Sequence, residues 1–444
     1  MSFGMACDKY IGNNMIMKTR YFFLLFTLLS AVAFSQDINR IKGIVKDLSS
    51  SEFLGRGYAH GGAEKASNYI LDAFVESGLS RPDSGWIQSF NFDFNCIRKT
   101  RIEINDKNLI PGKDFIVRRG SPNGNSDYRL KEISSEHFLD TEKMKDFLND
   151  TLNEVVAIID FQDFVKNRKA YDTCVKMLFH SDIPGYVFLH EKELKDYMAF
   201  GIRQKQCFVV NIQKRAMPAL PHSFHYMFDA DFKEVEAKNV MAYLPGTGQS
   251  DSVIIICGHY DHLGTMGPDA FFPGADDNAS SIATMIELAD FLNKPENRPA
   301  KSVLFVAFSA EEVGLVGSNY FVNHLPIAKQ NISFVLNIDM IGFGENGIYL
   351  WNGKNEPNLT QRILKINNDY QLFDSLYVKE NTPNSDHYSF TKKEIPAVFL
   401  STGIDASVYY HTIFDNYENV SFAKIEEVFK LIQLFIREES NKSL

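Results

Sequence analysis

The second half of the chain alternates short apolar runs with segments of helix length. The runs are rich in Val, Ile, Leu and Phe, a pattern typical of strands that are buried on both faces of a parallel sheet. The predicted strands are Val253–Cys257, Ser302–Phe308, Phe334–Ile338 and Ala397–Ser401, and the predicted helices include Ser280–Leu292 and Phe422–Arg437. The pattern predicts an α/β fold with a mostly parallel central sheet flanked by helices.

The first half of the chain shows two other patterns of apolar and polar residues. Apolar residues recur at helical spacing on both sides of a turn that contains Gly55, Gly57, Gly61 and Gly62. No buried strand precedes this turn, as a phosphate-binding loop would require, so we interpret it as a loop between two helices. From about Trp86 onwards, strand-like pieces alternate with polar connections.

These changes in sequence pattern predict the domain organisation. We expect residues 36–93 and 237–444 to form one main domain, and residues 94–236 to be an inserted, smaller β-rich domain. The insertion contains histidines, but none has a carboxylate partner at a strand end, so we expect no site there. These histidines are His180, His190, His222 and His225.

Residues 1–35 have the features of a signal peptide. The apolar run Tyr21–Phe34 follows Lys18 and Arg20, ends in small residues before Gln36, and is shorter than the roughly 20 residues of a membrane span. We therefore expect an exported protein, periplasmic or extracellular, without a transmembrane segment in the mature chain.

The net charge limits the classes of binding partner, and the cysteines limit the possible metal sites and disulfides. The formal net charge of -10 and the lack of a long basic run argue against nucleic acid and favour a small molecule, a peptide or a saccharide. The cysteine spacings do not match a metal site. An oxidising compartment would allow a disulfide among Cys96, Cys174 and Cys207, whereas Cys257 is expected in the core.

Acidic residues and histidines follow the predicted strands of the second half. Because binding residues gather at the carboxyl ends of parallel strands, we expect these groups to converge in space. They are His259 with Asp261, the triplet Asp276-Asp277-Asn278, the pair Glu311-Glu312, Asp339, and His411. Imidazole and carboxylate groups suit zinc, and of two neighbouring carboxylates one can bind metal while the other accepts a proton.

Six motifs together resemble the co-catalytic di-zinc exopeptidases of zinc-peptidase family twenty-eight, which includes secreted bacterial aminopeptidases. The resemblance covers most of Asn239–Leu444 and, more loosely, the helices around Gly55–Leu79. The motifs are His259-Tyr260-Asp261, Gly274-Ala275-Asp276-Asp277-Asn278-Ala279-Ser280, Ser309-Ala310-Glu311-Glu312-Val313-Gly314, Asn337-Ile338-Asp339-Met340-Ile341-Gly342, Ser385-Asp386-His387 and Tyr409-Tyr410-His411-Thr412.

The resemblance implies two zinc ions per chain. His259 and Asp339 would hold one ion, Glu312 and His411 would hold the other, and Asp277 would bridge them. Spacing alone does not choose between Asp277 and its neighbour as the bridge; the resemblance does.

The resemblance also implies roles for residues around the metals. Glu311 would be the general base and acid, Asp261 would orient His259, and Tyr410 would stabilise the oxyanion. Asp386 and His387 would form a supporting shell. The insertion is weakly similar to protease-associated domains.

The expected function is therefore that of an exported zinc aminopeptidase acting on peptides. Three alternatives stay open at this point: a glutaminyl cyclase with one zinc held by Asp277, Glu312 and His411, a carboxypeptidase of the same clan, and an inactive peptidase fold that binds peptides or glycans.

Overall fold

A computed structural model describes residues 36–149, 154–167, 171–219, 221–403 and 408–440. The predicted signal peptide lies outside these residues. From Ile38 onwards the chain forms one compact unit. Within the described ranges, no helix combines the length and the apolar character needed to cross a membrane.

The described strands join into one 14-stranded sheet. They are β1 (Ile87–Ile104), β2 (Lys107–Asn108), β3 (Phe115–Val117), β4 (Gly124–Ile133), β5 (Val155–Asp160), β6 (Gly185–His190), β7 (Phe208–Gln213), β8 (Phe224–Leu244), β9 (Val253–His259), β10 (Ser302–Phe308), β11 (Ile332–Ile338), β12 (Ile348–Trp351), β13 (Leu376–Val378) and β14 (Ala397–Ser401). The main path runs β13-β12-β14-β11-β9-β10-β8-β4-β5-β6-β7-β3, with β1 beside β8 and β2 beside β1.

The centre of the sheet is parallel, as the apolar runs predict. Strand β9 pairs in parallel with β10 on one side and with β11 on the other, and β14 pairs in parallel with β11. Every residue of β9, β10 and β14 is buried. Because both faces of these strands are buried, their sequences are almost entirely apolar. The predicted α/β fold is confirmed.

Two long strands connect the centre of the sheet with the inserted residues. Strands β1 and β8 span 18 and 21 residues and pair antiparallel from Ile87 opposite Val240 to Ile104 opposite Phe224. Strand β8 also pairs with β10 at one end and with β4 at the other. The strands of the insertion therefore extend the central sheet, whereas the sequence predicts a separate small sheet for them.

Helices cover the sheet. In the described ranges they are α1 (Ile38–Leu48), α2 (Gly62–Glu76), α3 (Ser135–Leu139), α4 (Thr141–Asn149), α5 (Phe161–Asn167), α6 (Asp172–Phe179), α7 (Ser281–Asn293), α8 (Val316–Asn323), α9 (Pro357–Tyr370), α10 (His387–Thr391) and α11 (Ile425–Ser440). Helix α7 is buried on nearly all sides and supplies much of the main core, together with α1, α2 and α11. The closing helix begins three residues later than predicted, and Phe422 has a left-handed backbone with φ of 54°.

The four cysteines of the described ranges are free thiols, so the structure contains no disulfide among Cys96, Cys174 and Cys207. Cys257 is fully buried in β9, as expected of a small core residue.

Candidate metal centre

The carboxyl ends of the central strands bring the acidic and histidine motifs together. His259 is the last residue of β9, and Asp339 directly follows β11. Because Asn337 pairs with Cys257, Asp339 lies level with His259. Strands β10 and β11 lie on opposite sides of β9, and open parallel sheets bind ligands where the strand order reverses in this way.

The first group of candidate ligands surrounds the His259 ring. Its Nε2 atom lies 3.3 Å from Asp339 Oδ1 and 3.4 Å from Asp277 Oδ1. All three residues are buried. Ser385 Oγ donates a hydrogen bond of 2.7 Å to the other Asp339 oxygen and so fixes that carboxylate.

The second group surrounds Glu312. His411 Nε2 lies 3.2 Å from Glu312 Oε2 and 3.3 Å from Asp277 Oδ2. A further histidine, His262, places Nδ1 2.8 Å from Glu312 Oε1 and 3.8 Å from Asp277 Oδ2. Sequence reasoning missed His262, although it directly follows the His259-Tyr260-Asp261 motif.

Asp277 belongs to both groups, with one oxygen facing each. Its neighbour Asp276 points elsewhere: Asp276 Oδ1 accepts the Gly342 N–H at 2.8 Å. The carboxylate of Asp415 accepts the backbone N–H groups of both aspartates, at 2.9 and 3.0 Å. The turn is thereby fixed so that only Asp277 faces the histidines, and Asp415 is a support that the sequence pattern did not reveal.

The two groups fit divalent cations. The ligand atoms of His259, Asp277 and Asp339 all lie within 4.8 Å of one another, and so do those of His262, Asp277 and Glu312. Buried carboxylates without a counter-charge are costly, and imidazole nitrogen with carboxylate oxygen is a donor set that zinc prefers. His262 Nε2 is buried without a hydrogen-bond partner.

At both His411 and His259, the nearby carboxylates raise the pKa by more than burial lowers it. Burial lowers the pKa of His411, but Glu312 and Asp277 raise it to about 10. In the same way, Asp339 and Glu311 raise the pKa of His259 well above its usual range against the effect of burial. Burial by itself raises the pKa of Glu312. The adjacent His411 and His262 outweigh this effect and hold the pKa of Glu312 well below its usual value.

Glu311 lies beside these groups but belongs to neither. It lines the same cavity as His259 and Asp277. Burial raises the pKa of Glu311 well above its usual range, Glu312 adds to the rise, and His259 opposes it. This carboxyl group therefore holds a proton more readily than its neighbour Glu312.

Asp261 contacts His259 through its main chain. The acceptor nearest to His259 Nδ1 is the Asp261 backbone carbonyl, at 3.0 Å, whereas the carboxylate is 3.8 Å away. The carboxylate instead accepts the backbone N–H groups of Glu311 and Glu312, at 3.1 and 3.4 Å. Asp261 therefore orients the histidine through its main chain and holds the glutamate pair through its side chain.

Arg56 supports the centre from the glycine-rich turn. Its fully buried guanidinium donates to five backbone carbonyls: Tyr260, Leu48, Pro273, Gly274 and Asp277. The turn is a loop between helices, as expected, but it packs against the centre, since a Cβ on Gly55 would lie 2.3 Å from the Phe272 carbonyl oxygen.

The remaining predicted residues lie around the centre. Tyr410 lines the cavity and stacks on His411, with ring centroids 3.7 Å apart. Asp386 and His387 are fully buried, and their side-chain oxygen and nitrogen atoms have no hydrogen-bond partners. Burial raises the pKa of Asp386 to about 7 and lowers that of His387 to about 3.

The histidines of the insertion have local roles. His190 Nε2 contacts Asn211 Oδ1 at 2.9 Å, His225 pairs with Asp127, and His180 contacts the Lys176 carbonyl of its own helix. Among the described residues, none of these histidines joins a group that could hold a metal.

Known proteins that resemble this chain include aminopeptidases and zinc metalloproteases. The chain is 33% identical over 168 residues to leupeptin-inactivating enzyme 1 of Streptomyces exfoliatus, which covers 38% of this chain and 36% of that protein. It is 27% identical over 200 residues to aminopeptidase YwaD of Bacillus subtilis, with 43% of this chain and 42% of that protein covered. The matched regions therefore span less than half of these curated relatives.

Residues 239–436, a little under half of the chain, match the family model described as Peptidase family M28. A solved zinc aminopeptidase from Bacillus subtilis shares the fold, with a TM-score of 0.70 and 19% identity, and covers 92% of this chain and 96% of its own. The family resemblance expected from the motifs is confirmed, and zinc is the metal named for related structures.

Proposed function

We propose that the chain is an exported aminopeptidase that holds two zinc ions and removes N-terminal residues from peptides. One observation carries the proposal: the two oxygens of Asp277 face two separate histidine–carboxylate groups, and Glu311 lies beside both without joining either. Export rests on the signal-peptide features of residues 1–35.

The chain's own residues would divide the binding work. His259 and Asp339 would hold one zinc ion, His411 and Glu312 the other, and Asp277 would bridge the two. When bound, zinc lowers the pKa of a water molecule and polarises a carbonyl group. Two cations in this pocket would also neutralise the buried carboxylates, which removes the need for protonated histidines.

Glu311 is proposed to move the proton. It would accept a proton from the attacking water and pass it to the nitrogen of the departing amine. A raised pKa suits the second half of this task, because the carboxyl group must keep the proton until the peptide bond breaks. Tyr410, which lines the same cavity, would donate to the oxyanion that develops on the scissile carbonyl.

The cavity walls favour an apolar N-terminal side chain. Trp351, Met340 and Phe399 line the same cavity, and the Trp351 and Phe399 rings stack with centroids 6.3 Å apart. Trp351 Nε1 donates to Ser401 Oγ at 3.3 Å, which holds the indole in place. We propose peptides that begin with leucine, phenylalanine or methionine as the preferred substrates.

The test combines Glu311→Gln with metal analysis. The variant should lose peptide turnover and keep two zinc ions per chain, since Glu311 lies outside both ligand groups. Glu345→Gln, on an exposed surface turn, is the matched control and should retain activity. Turnover by Glu311→Gln would refute the assigned role, and one zinc ion per wild-type chain would favour the single-zinc cyclase.

A further inference from the structure

The insertion makes direct contact with a candidate metal ligand. His411 Nδ1 donates to the Asp196 backbone carbonyl at 2.9 Å, and the Asp196 N–H donates to the His411 carbonyl at 3.1 Å. The next residue of the insertion, Tyr197, meets the His411 ring edge-on, with ring centroids 5.0 Å apart. The segment Lys195–Ile202, called the 195–202 segment below, therefore lies directly against this histidine.

Asp196 is itself held by a buried ion pair. Its carboxylate accepts from Arg119 Nε at 2.7 Å, and the two residues are only 2% and 1% exposed. The other Asp196 oxygen accepts the Tyr197 N–H at 2.8 Å. The Arg119 guanidinium also donates to the Leu263 carbonyl, which belongs to the loop that follows β9. Arg119 thus connects the 195–202 segment with the loop behind the metal centre.

The Asp196 carbonyl fixes which nitrogen of His411 can bind metal. An imidazole that donates through Nδ1 keeps its lone pair on Nε2, and Nε2 is the atom that faces Glu312 and Asp277. The His411 backbone is left-handed, with φ of 61°, a conformation that residues other than glycine rarely adopt. Surrounding contacts must hold such a residue, and Asp196 bonds both its ring and its main chain.

We propose that Arg119 and Asp196 are positioning residues for His411, so that the insertion forms part of the second metal site. This inference rests on the proposed function, which assigns His411 as a ligand. It goes further by giving the insertion a role in metal affinity through two residues that touch neither metal nor peptide. Loss of the pair should weaken the site at Glu312 and His411 and spare the site at His259 and Asp339.

The test measures zinc affinity with Asp196→Asn and Arg119→Lys. Equilibrium dialysis against buffered free zinc should show the second zinc weakened by up to about 10-fold. This is the lower end of the cost of losing an outer partner of a metal-bound histidine, because the backbone carbonyl that bonds His411 stays and only its support is lost. The zinc affinity of the first site, at His259 and Asp339, should stay within about twofold of the wild-type value, since neither Arg119 nor Asp196 contacts its ligands. Arg119→Lys keeps the charge and should have the smaller effect.

A control separates positioning from general destabilisation. Glu439→Gln weakens another ion pair, in which Nη1 of the half-buried Arg362 on α9 lies 2.9 Å from Oε1 of the buried Glu439 on α11. This variant should lose thermal stability without a selective change at either zinc site. Equal weakening of both sites in Asp196→Asn, or no weakening at all, would overturn the proposal.

Hydrogen exchange of the wild-type chain gives a second test that does not depend on a variant folding. If the 195–202 segment strengthens zinc binding, zinc must strengthen the segment by the same free energy. Amides of this segment should exchange more slowly with zinc than after chelation, and unchanged exchange would contradict the inference. Peptide hydrolysis is measured in parallel: two bound zinc ions without hydrolysis would refute the aminopeptidase proposal alone.

Discussion

The most direct test of how the centre is built is removal of the Arg56 guanidinium. Its five hydrogen bonds range from 2.7 to 3.1 Å and all end on backbone carbonyls, two of them in the turn that carries Asp277. Leu54, Gly55 and Arg56 are consecutive left-handed residues, so the side chain holds a backbone that would otherwise relax. Arg56→Met keeps the aliphatic stem and removes every donor.

The expected loss of unfolding free energy can be estimated from these contacts. Five carbonyls left without donors cost at least about 1 kcal/mol each. Against this, burial lowers the Arg56 pKa from 12.5 to about 10, so replacing the charged group returns roughly 3 kcal/mol. The net loss should be at least roughly 2 kcal/mol, a large part of the stability of an ordinary domain.

Urea unfolding of zinc-free protein measures this loss without a contribution from metal binding. Arg56→Lys offers three donors from one point and cannot reach carbonyls on all sides, so it should fall between wild type and Arg56→Met. Arg98→Met is the control, because Arg98 forms an exposed pair with Asp229 and should leave the unfolding midpoint in place. A loss below about 1 kcal/mol for Arg56→Met would refute the reasoning.

Three further predictions concern metal and substrate. His411→Ala should leave one zinc ion per chain by mass spectrometry, whereas His262→Ala should retain two with weaker binding; the reverse result would make His262 the ligand. Because the His411 pKa is raised to about 10 in metal-free protein, its ring carries a proton at neutral pH that zinc must displace, so affinity should rise with pH up to about 10. Calorimetry in buffers of different ionisation enthalpy should show proton release, and its absence would contradict this. Trp351→Ala should lower kcat/KM for leucyl substrates about 10-fold more than for alanyl ones, while Tyr349→Ala, which removes a stacked neighbour outside the cavity, should not.

The sequence was sufficient to locate the strands that carry the candidate ligands. Buried strands need apolar residues on both faces, so Ser302–Phe308 and Ala397–Ser401 were predicted with the bounds that the structure has. A charged residue at the end of such a run is conspicuous because burial is costly, which is why Asp339 stood out. Both signals are local in sequence.

The supports of the site left no comparable signal. Arg56 donates to main-chain carbonyls, which every residue has, so no partner residue marks the contact in the sequence. Asp415 receives backbone N–H groups from the Asp277 turn, 138 residues away. His262 lies beside a recognised motif, but its spacing alone does not show whether its ring faces the metal or the core. These contacts depend on the tertiary fold, and periodicity carries no information about them.

The insertion shows what the sequence pattern leaves out about domain organisation. The boundary was predicted from a change to strand-like pieces that alternate with polar connections. Yet β1 and β8 run through that boundary as continuous paired strands, and Asp196 reaches His411 with a buried arginine behind it. If Asp196 positions a metal ligand as proposed, removal of this segment should weaken the second metal site as well as shorten the sheet. The boundary predicted at residue 94 marks a change in sequence pattern, and it falls within the paired strand β1.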